Sequence, residues 1–401
     1  MKSRSEHGLE NGKDQPVART SRKKSIIAAA ILIAAAVTGF IGLKALRILK
    51  SGAAVSNLGP VRCALKGKSL VFYDSTDRFL WDWPVDLPKE LNKYRFNSLI
   101  ARATSTENFC SSCVDFADVD NDGRNEAAAF LFEQNARKRT IVLFDHDGKK
   151  ILWEHNRPFP CLYPDGAADH DPYVRSISFH QIPGRDAPSL CVCWSIFRFA
   201  PSSFEILDGK NGEVFFYYDH VGTLVFFKKA NLGGRPYFFL GGTNDLANGD
   251  GACVVLNSAD LQSGLGPPYA SDVDSGPAAE SISPALLKHA VRASQVQYIK
   301  IRRTPLSEAL GTQKLYVTDA AIEGSRFFLT VEISRGILLY YYFDSTFRFL
   351  EVRPSADFVG NFDLWRQTGK VRISREEYLR QRGEDVSYWN GEGWQADPDK
   401  S

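Results

Sequence analysis

The sequence predicts an all-β body standing behind a single N-terminal transmembrane helix. Three observations predict it: one long apolar segment near the start, a series of look-alike hairpins after it, and one acidic loop set between strands. Of the 401 residues, 44% are hydrophobic and 24% charged. That composition supports a packed core and argues against general disorder. The net charge of +2 removes the case for nucleic acid as a partner, because a phosphate-binding surface needs a marked basic excess.

The apolar segment runs from Ser25 to Leu43 without a charge, between Lys24 and Lys44. As a helix it spans roughly 28 Å, close to the hydrocarbon thickness of a bilayer. A cleavable signal peptide is the alternative, with Gly52-Ala53-Ala54 as a small-residue site. A polar lead-in of 24 residues and the basic Lys44, Arg47 and Lys50 after the run favour an anchor. Seven Lys/Arg and three acids precede the span, so the positive-inside rule leans towards a cytoplasmic tail. The expected layout is a cytoplasmic tail (1–24), the transmembrane helix (25–43), a linker (44–66), a propeller-like domain (67–373) and a C-terminal helix and tail (374–401). The globular domain is then periplasmic or extracellular, and the membrane is its first partner.

Five hairpins share one form: an apolar run ends at Asp or Asn, a polar turn follows, and a second apolar run returns. The markers are Asp74, Asp145, Asp208, Asn257 and Asp344, with returns at Phe79–Trp81, Ile151–Trp153, Val214–Phe216, a weaker one at Leu261, and Phe347–Leu350. Asp and Asn suit such corners because their side chains accept from backbone N–H groups two residues on. Aromatic residues, 12% of the chain, favour pleated half-buried surfaces. Further strand pairs precede several markers, at 114–132, 174–194 and 223–240. Two hairpins make four strands, the size of one propeller blade. The markers are 71, 63, 49 and 87 residues apart, an irregular interval for a propeller repeat. Insertions such as 264–293 absorb the excess. The expected fold is a degenerate β-propeller of about five to seven blades, with strands near Phe362–Ile373 completing the first blade. A twisted β-sandwich is the alternative. Helix is expected only at Ser374–Gln381, opened by capping-box spacing, and at Pro284–Ala290.

The chemistry concentrates in Asp118-Val-Asp120-Asn-Asp122-Gly123-Arg124-Asn-Glu126. Carboxylates at alternate positions can converge where a chain wraps an ion, and Gly123 permits the turn that aims the Arg124 carbonyl inward. Hard oxygen donors in a flexible loop select Ca²⁺. The twelfth position, which closes an EF-hand, is Ala129, and the flanks read as strands. The candidate ligands are therefore Asp118, Asp120, Asp122, Arg124 (backbone) and Glu126 of a strand–loop–strand site with a structural role.

This stretch, from Phe116 to Glu126, resembles the calcium loop of FG-GAP/VCBS-type repeats, which build β-propellers. Ile141 to Trp153 is similar to blade hairpins of quinoprotein-like propellers. The resemblance covers roughly 114–155 and implies binding and scaffolding more often than catalysis.

Other candidates carry less. Cys110-Ser-Ser-Cys113 has redox or half-zinc spacing but no second half. A local disulfide or burial is the alternative. Cys191 and Cys193 fall on one side of a strand. Gly241 to Gly251 reads as a polar loop or a ligand-lining turn, and His170 with Asp169 and Asp171 as a solvated loop or a metal pair. No catalytic residues and no organic cofactor are assigned. The sequence supports a membrane-anchored binding module for a protein or glycan partner. A degenerate quinoprotein-like or glycan-acting enzyme and a cell-envelope assembly factor are the alternatives.

Overall fold

The computed structural model describes residues 59–66, 69–85, 113–133, 138–157, 172–196, 202–245, 249–261, 297–389 and 393–396. The chain divides into two units, Met1–Ser56 and Asn57–Ser401, and every described residue belongs to the second. The expected span at 25–43, the expected helix at Pro284–Ala290, and His170 with its neighbours lie outside the described residues. Among the described residues no helix is long and apolar enough to cross a membrane.

The second unit is all-β in its framework. Its strands form five antiparallel sheets that follow one another along the chain. The first holds β1 (Arg62–Lys66), β2 (Ser69–Tyr73) and β3 (Phe79–Pro84). The second holds β4 (Val114–Ala117), β5 (Glu126–Glu133), β6 (Lys138–Phe144) and β7 (Ile151–His155). The third holds β8 (Pro172–His180), β9 (Ser189–Ile196), β10 (Ser202–Leu207) and β11 (Val214–His220). The fourth begins with β12 (Leu224–Leu232), β13 (Arg235–Asn244), β14 (Asp250–Asn257) and β15 (Gln297–Ile301). The fifth holds β16 (Tyr316–Glu323), β17 (Arg326–Ser334), β18 (Ile337–Asp344) and β19 (Phe349–Pro354). Two hairpins per sheet, as expected, make up the second, third and fifth.

Four of the expected markers, Asp74, Asp208, Asn257 and Asp344, share one device, a side-chain oxygen that accepts the backbone N–H two residues on. Asp74 Oδ1 accepts the backbone N–H groups of Thr76 and Arg78 at 2.9 and 3.0 Å. Asp344 Oδ1 does the same for Thr346 and Arg348 at 2.8 and 3.0 Å. Asp208 Oδ1 takes Lys210 N–H at 2.9 Å, and Asp145 Oδ1 takes Lys150 N–H at 3.4 Å. Asn257 Oδ1 likewise accepts from Ala259 at 3.1 Å, and beyond Leu261 the expected return lies outside the described residues. The partner of β14 is β15, beyond residues 262–296.

Apolar clusters bind each sheet to the next. Phe72, Trp81, Ala127 and Phe144 join the first and second. Ile141, Trp153, Val192 and Trp194 join the second and third. Phe204, Phe216, Phe238 and Val254 join the third and fourth, and Phe239, Ile299, Phe327 and Phe343 the fourth and fifth. The first strands of successive sheets also lie side by side: β4 by β8, β8 by β12, β12 by β16. Face-to-face packing of consecutive sheets, with their first strands adjacent, is the blade succession of a β-propeller.

The C-terminal part departs from expectation. Strands near Phe362–Ile373 do not complete the first sheet, which has three strands among the described residues. Instead α2 (Ala356–Gln367) follows β19, after the one-turn α1 (Pro305–Ala309) earlier in the chain. Ser355 Oγ caps α2 by accepting Phe358 N–H at 3.1 Å. Phe358, Phe362 and Trp365 then recur at helical spacing and bury one face in the fourth–fifth cluster. The expected helix at Ser374 is present as α3 (Arg375–Gln381), capped by Ser374 Oγ on Glu377 N–H at 3.1 Å. Beyond it, β20 (Val386–Trp389) pairs with β15 and β21 (Trp394–Ala396) with β20, so the C-terminal stretch widens the fourth sheet to six strands. At the other end, β1 starts at Arg62, inside the stretch expected as linker.

Candidate metal centre

The acidic loop connects β4 to β5, and the ladder places Glu126 directly opposite Ala117 at its base. Two left-handed residues curl the loop, Asn121 at φ 64° and Gly123 at φ 86°. Asparagine and glycine tolerate that region at least cost. The curl turns successive N–H groups onto the acids. Asp118 Oδ1 accepts from Asp122 at 3.1 Å and Asp118 Oδ2 from Gly123 at 2.9 Å. Asp120 Oδ1 also accepts from Asp122, at 3.1 Å, and Asp122 Oδ1 from Arg124 at 2.8 Å.

Three of the expected ligands come together. Single carboxylate oxygens of Asp118, Asp120 and Glu126 all lie within 4.8 Å of one another. Asp122 is not among these three; its Oδ1 accepts the Arg124 N–H at 2.8 Å. The Arg124 side chain points elsewhere, with Nη1 donating to His146 Nε2 at 2.8 Å. Glu126 is 1% exposed. Its Oε2 accepts Val119 N–H at 2.8 Å. Burial pushes the Glu126 carboxyl up to about 7, with the charges of Asp120, Asp122 and Asp118 adding to it. A buried carboxylate with two more within reach, all oxygen donors, is a set that could hold a hard cation.

The loop is also held from both sides. Val119, 1% exposed, enters the cluster between the second and third sheets. Asn125 Nδ2 donates to the Pro60 carbonyl at 3.2 Å, just ahead of the first sheet. Sequence reasoning missed Val119, Asn125 and His146, because nothing local marks contacts across 65 or 22 positions.

The remaining candidates that are described serve packing. Cys113 is a buried free thiol pushed up to about 12 by burial, far from the thiolate a redox pair needs. Cys110 lies outside the described residues. Cys191 and Cys193 are buried free thiols in one apolar cluster. The glycine-rich stretch expected as a loop is strand: Gly241 to Asn244 end β13 and Asp250 begins β14. A Cβ at Gly241 would stand 2.0 Å from the Phe226 ring, so these glycines serve close approach and not a turn. His220 is fully buried; its Nε2 donates to the Thr243 carbonyl at 2.6 Å, and its Nδ1 accepts from Tyr218 Oη at 3.0 Å.

No protein-family model and no curated protein matches the sequence. Among solved structures, the chain is similar to the propeller of Dos1, at 13% identity and a TM-score of 0.35 over 74% of this chain. It is also similar to the C-terminal domain of Pseudomonas aeruginosa PilY1, at 12% identity and a TM-score of 0.30 over 69% of this chain. The chain spans 59% and 55% of those two proteins' lengths. A third likeness is to the WD40 domain of SCAP from fission yeast, at 7% identity and a TM-score of 0.28, covering 72% of this chain and 67% of that one. These are partial likenesses of fold, and the assignment stands on the sheets themselves: the chain is an all-β protein of consecutive antiparallel sheets with the blade order of a β-propeller.

Proposed function

We propose that the chain is a membrane-tethered β-propeller-type binding module whose second sheet carries one structural Ca²⁺ ion. Asp118, Asp120 and Glu126 supply the carboxylates, and the Arg124 carbonyl and Asp122 complete or support the set. The observation that carries this reading is the convergence of three carboxylate oxygens around the buried Glu126. Without a cation these charges repel one another, and desolvation adds to the cost. A divalent ion converts the repulsion into cross-linking of the loop. The resemblance of the loop to FG-GAP/VCBS-type calcium loops points the same way.

The apolar run at 25–43 supplies the tether, and the globular part then faces the periplasm or the exterior to meet a protein or glycan. Calorimetric titration of the full chain in detergent with Ca²⁺ tests the ion. Saturable binding that raises the melting temperature, and that is lost in Asp120→Ala, is the expected result. Equal melting of both proteins with and without Ca²⁺ would refute it. Protease accessibility of the globular part in intact and permeabilised cells tests the placement.

A further inference from the structure

We infer that the cation loop is a clasp that fixes the first sheet, and the segment leading into it, against the second sheet, so that ion occupancy controls how firmly the tether-proximal end is mounted. This rests on the Ca²⁺ reading above. The geometry behind it is a chain of contacts that begins inside the loop and ends in the first sheet.

The loop's last residues before Glu126 are Arg124 and Asn125, and both reach out of the loop. Asn125 Nδ2 holds the Pro60 carbonyl. The backbones approach even more closely one residue earlier: a Cβ on Gly59 would stand 2.4 Å from the Asn125 nitrogen and 2.5 Å from its oxygen. Only glycine can lie on Asn125 in this way. Val61, two residues after Gly59, already donates to the Tyr73 carbonyl at 2.9 Å and so starts the first sheet. Arg124 makes the second route. Its guanidinium meets His146 Nε2, and the His146 carbonyl accepts from Trp81 Nε1 at 3.3 Å. Trp81 stacks on Phe72 at 3.8 Å between ring centroids, in the middle of the first sheet.

The first sheet has most to gain from such a clasp. Among the described residues it has three strands where the other sheets have four or six. Among the described residues its apolar cluster is shared with the second sheet alone. Arg124 and Asn125 stand where they do because Asp118, Asp120 and Glu126 converge on either side of them in the chain. An ion that ties those acids together holds both outward contacts in place, and like-charge repulsion in its absence loosens them.

Hydrogen–deuterium exchange on the full chain in detergent, with Ca²⁺ or with chelator, tests the clasp. Calorimetry on the same sample reports binding separately. Amides of Val61 and of β1 to β3 should exchange roughly tenfold faster in chelator, while those of β16 to β18 change by less than about twofold. In the Asn125→Ala/His146→Ala double variant Ca²⁺ should still bind, at most about tenfold more weakly, because linkage limits the loss to the coupling factor. Exchange in its first sheet should no longer respond to the ion. Binding without any change in first-sheet exchange in the wild type would overturn the clasp and leave the Ca²⁺ reading intact. A double variant whose first sheet responds as the wild type does would also overturn it. Absence of binding in the wild type would overturn both.

Discussion

Trp153, on the last strand of the second sheet, donates its indole N–H to the carbonyl of Gly209 in a turn of the third sheet, at 2.8 Å. Trp81 in the first sheet repeats the arrangement with the His146 carbonyl of the second. In both cases the indole lies over a left-handed glycine, Gly212 (φ 73°) under Trp153 and Gly148 (φ 70°) under Trp81. The latch joins consecutive sheets through the same corners that the aspartates close. A Cβ on Gly148 would stand 2.2 Å from Trp81, whereas one on Gly234 (φ 78°) would meet nothing within 4 Å. Gly148→Ala should therefore cost about 3 kcal/mol, from backbone strain and overpacking together, and Gly234→Ala about 1 kcal/mol from the strain alone. Thermal melts of the two variants check this, and equal losses would show that the ring contact contributes nothing.

These latches explain why much of the fold was legible in the sequence. Asp74, Asp208 and Asp344 close their turns on N–H groups two to four residues on, so the pattern is local and reads directly. The acidic loop is local as well, and the approach of Asp118, Asp120 and Glu126 to one another follows from carboxylates spaced along one tight turn. What failed was non-local or balanced between two periodicities. Phe358, Phe362 and Trp365 have strand-forming rings, yet their spacing and the Ser355 cap make a helix. Gly241 and Gly242 have turn composition, yet the Phe226 ring and the Thr223 carbonyl need them in a strand. The pairing of Ile299 with Tyr388 depends on nothing near either residue.

Histidine burial sets an acid limit. Burial holds His220 down to about 4, well under its value in an unfolded chain. The unfolded state therefore takes up a proton near pH 6.5 that the native state refuses until about pH 4. Stability from this residue is complete above pH 6.5 and falls as pH drops through that window, by roughly 3 kcal/mol at its end. Urea midpoints from pH 7 to 5 should fall more steeply in the wild type than in His220→Gln. Ring resonances of His220 that titrate near 6.5 would contradict the burial.

The seam between the second and third sheets holds a buried ionic group. Glu205, 3% exposed, accepts from Trp194 Nε1 at 2.7 Å and faces His155 Nε2 at 3.0 Å, and Arg157 bridges it to Asp219. Removing one partner leaves a buried charge uncompensated, whereas removing both does not. Arg157→Ala should lose about 3 kcal/mol in chemical denaturation. Adding Glu205→Gln to it should restore part of that loss. A double variant as unstable as the sum of its singles would show that the two residues act independently.

The tight approach of Gly59 to Asn125 gives the clasp a consequence that can be read at the ion itself. Gly59→Ala places a methyl group inside the Asn125 backbone, so the segment must lift away and the Asn125–Pro60 hydrogen bond with it. Asp118, Asp120 and Glu126 are untouched by the change, and their convergence does not involve residue 59. If the loop and the segment were energetically separate, Ca²⁺ affinity would be unchanged. If ion and segment stabilise one another, linkage requires that what the ion does for the segment, the segment does for the ion. Ca²⁺ affinity in Gly59→Ala should then fall by up to about tenfold, and Gly59→Ser, with the same Cβ, should fall equally. Calorimetric titration of both variants beside the wild type decides the point, and wild-type affinity in a folded Gly59→Ala would sever the link between loop and segment.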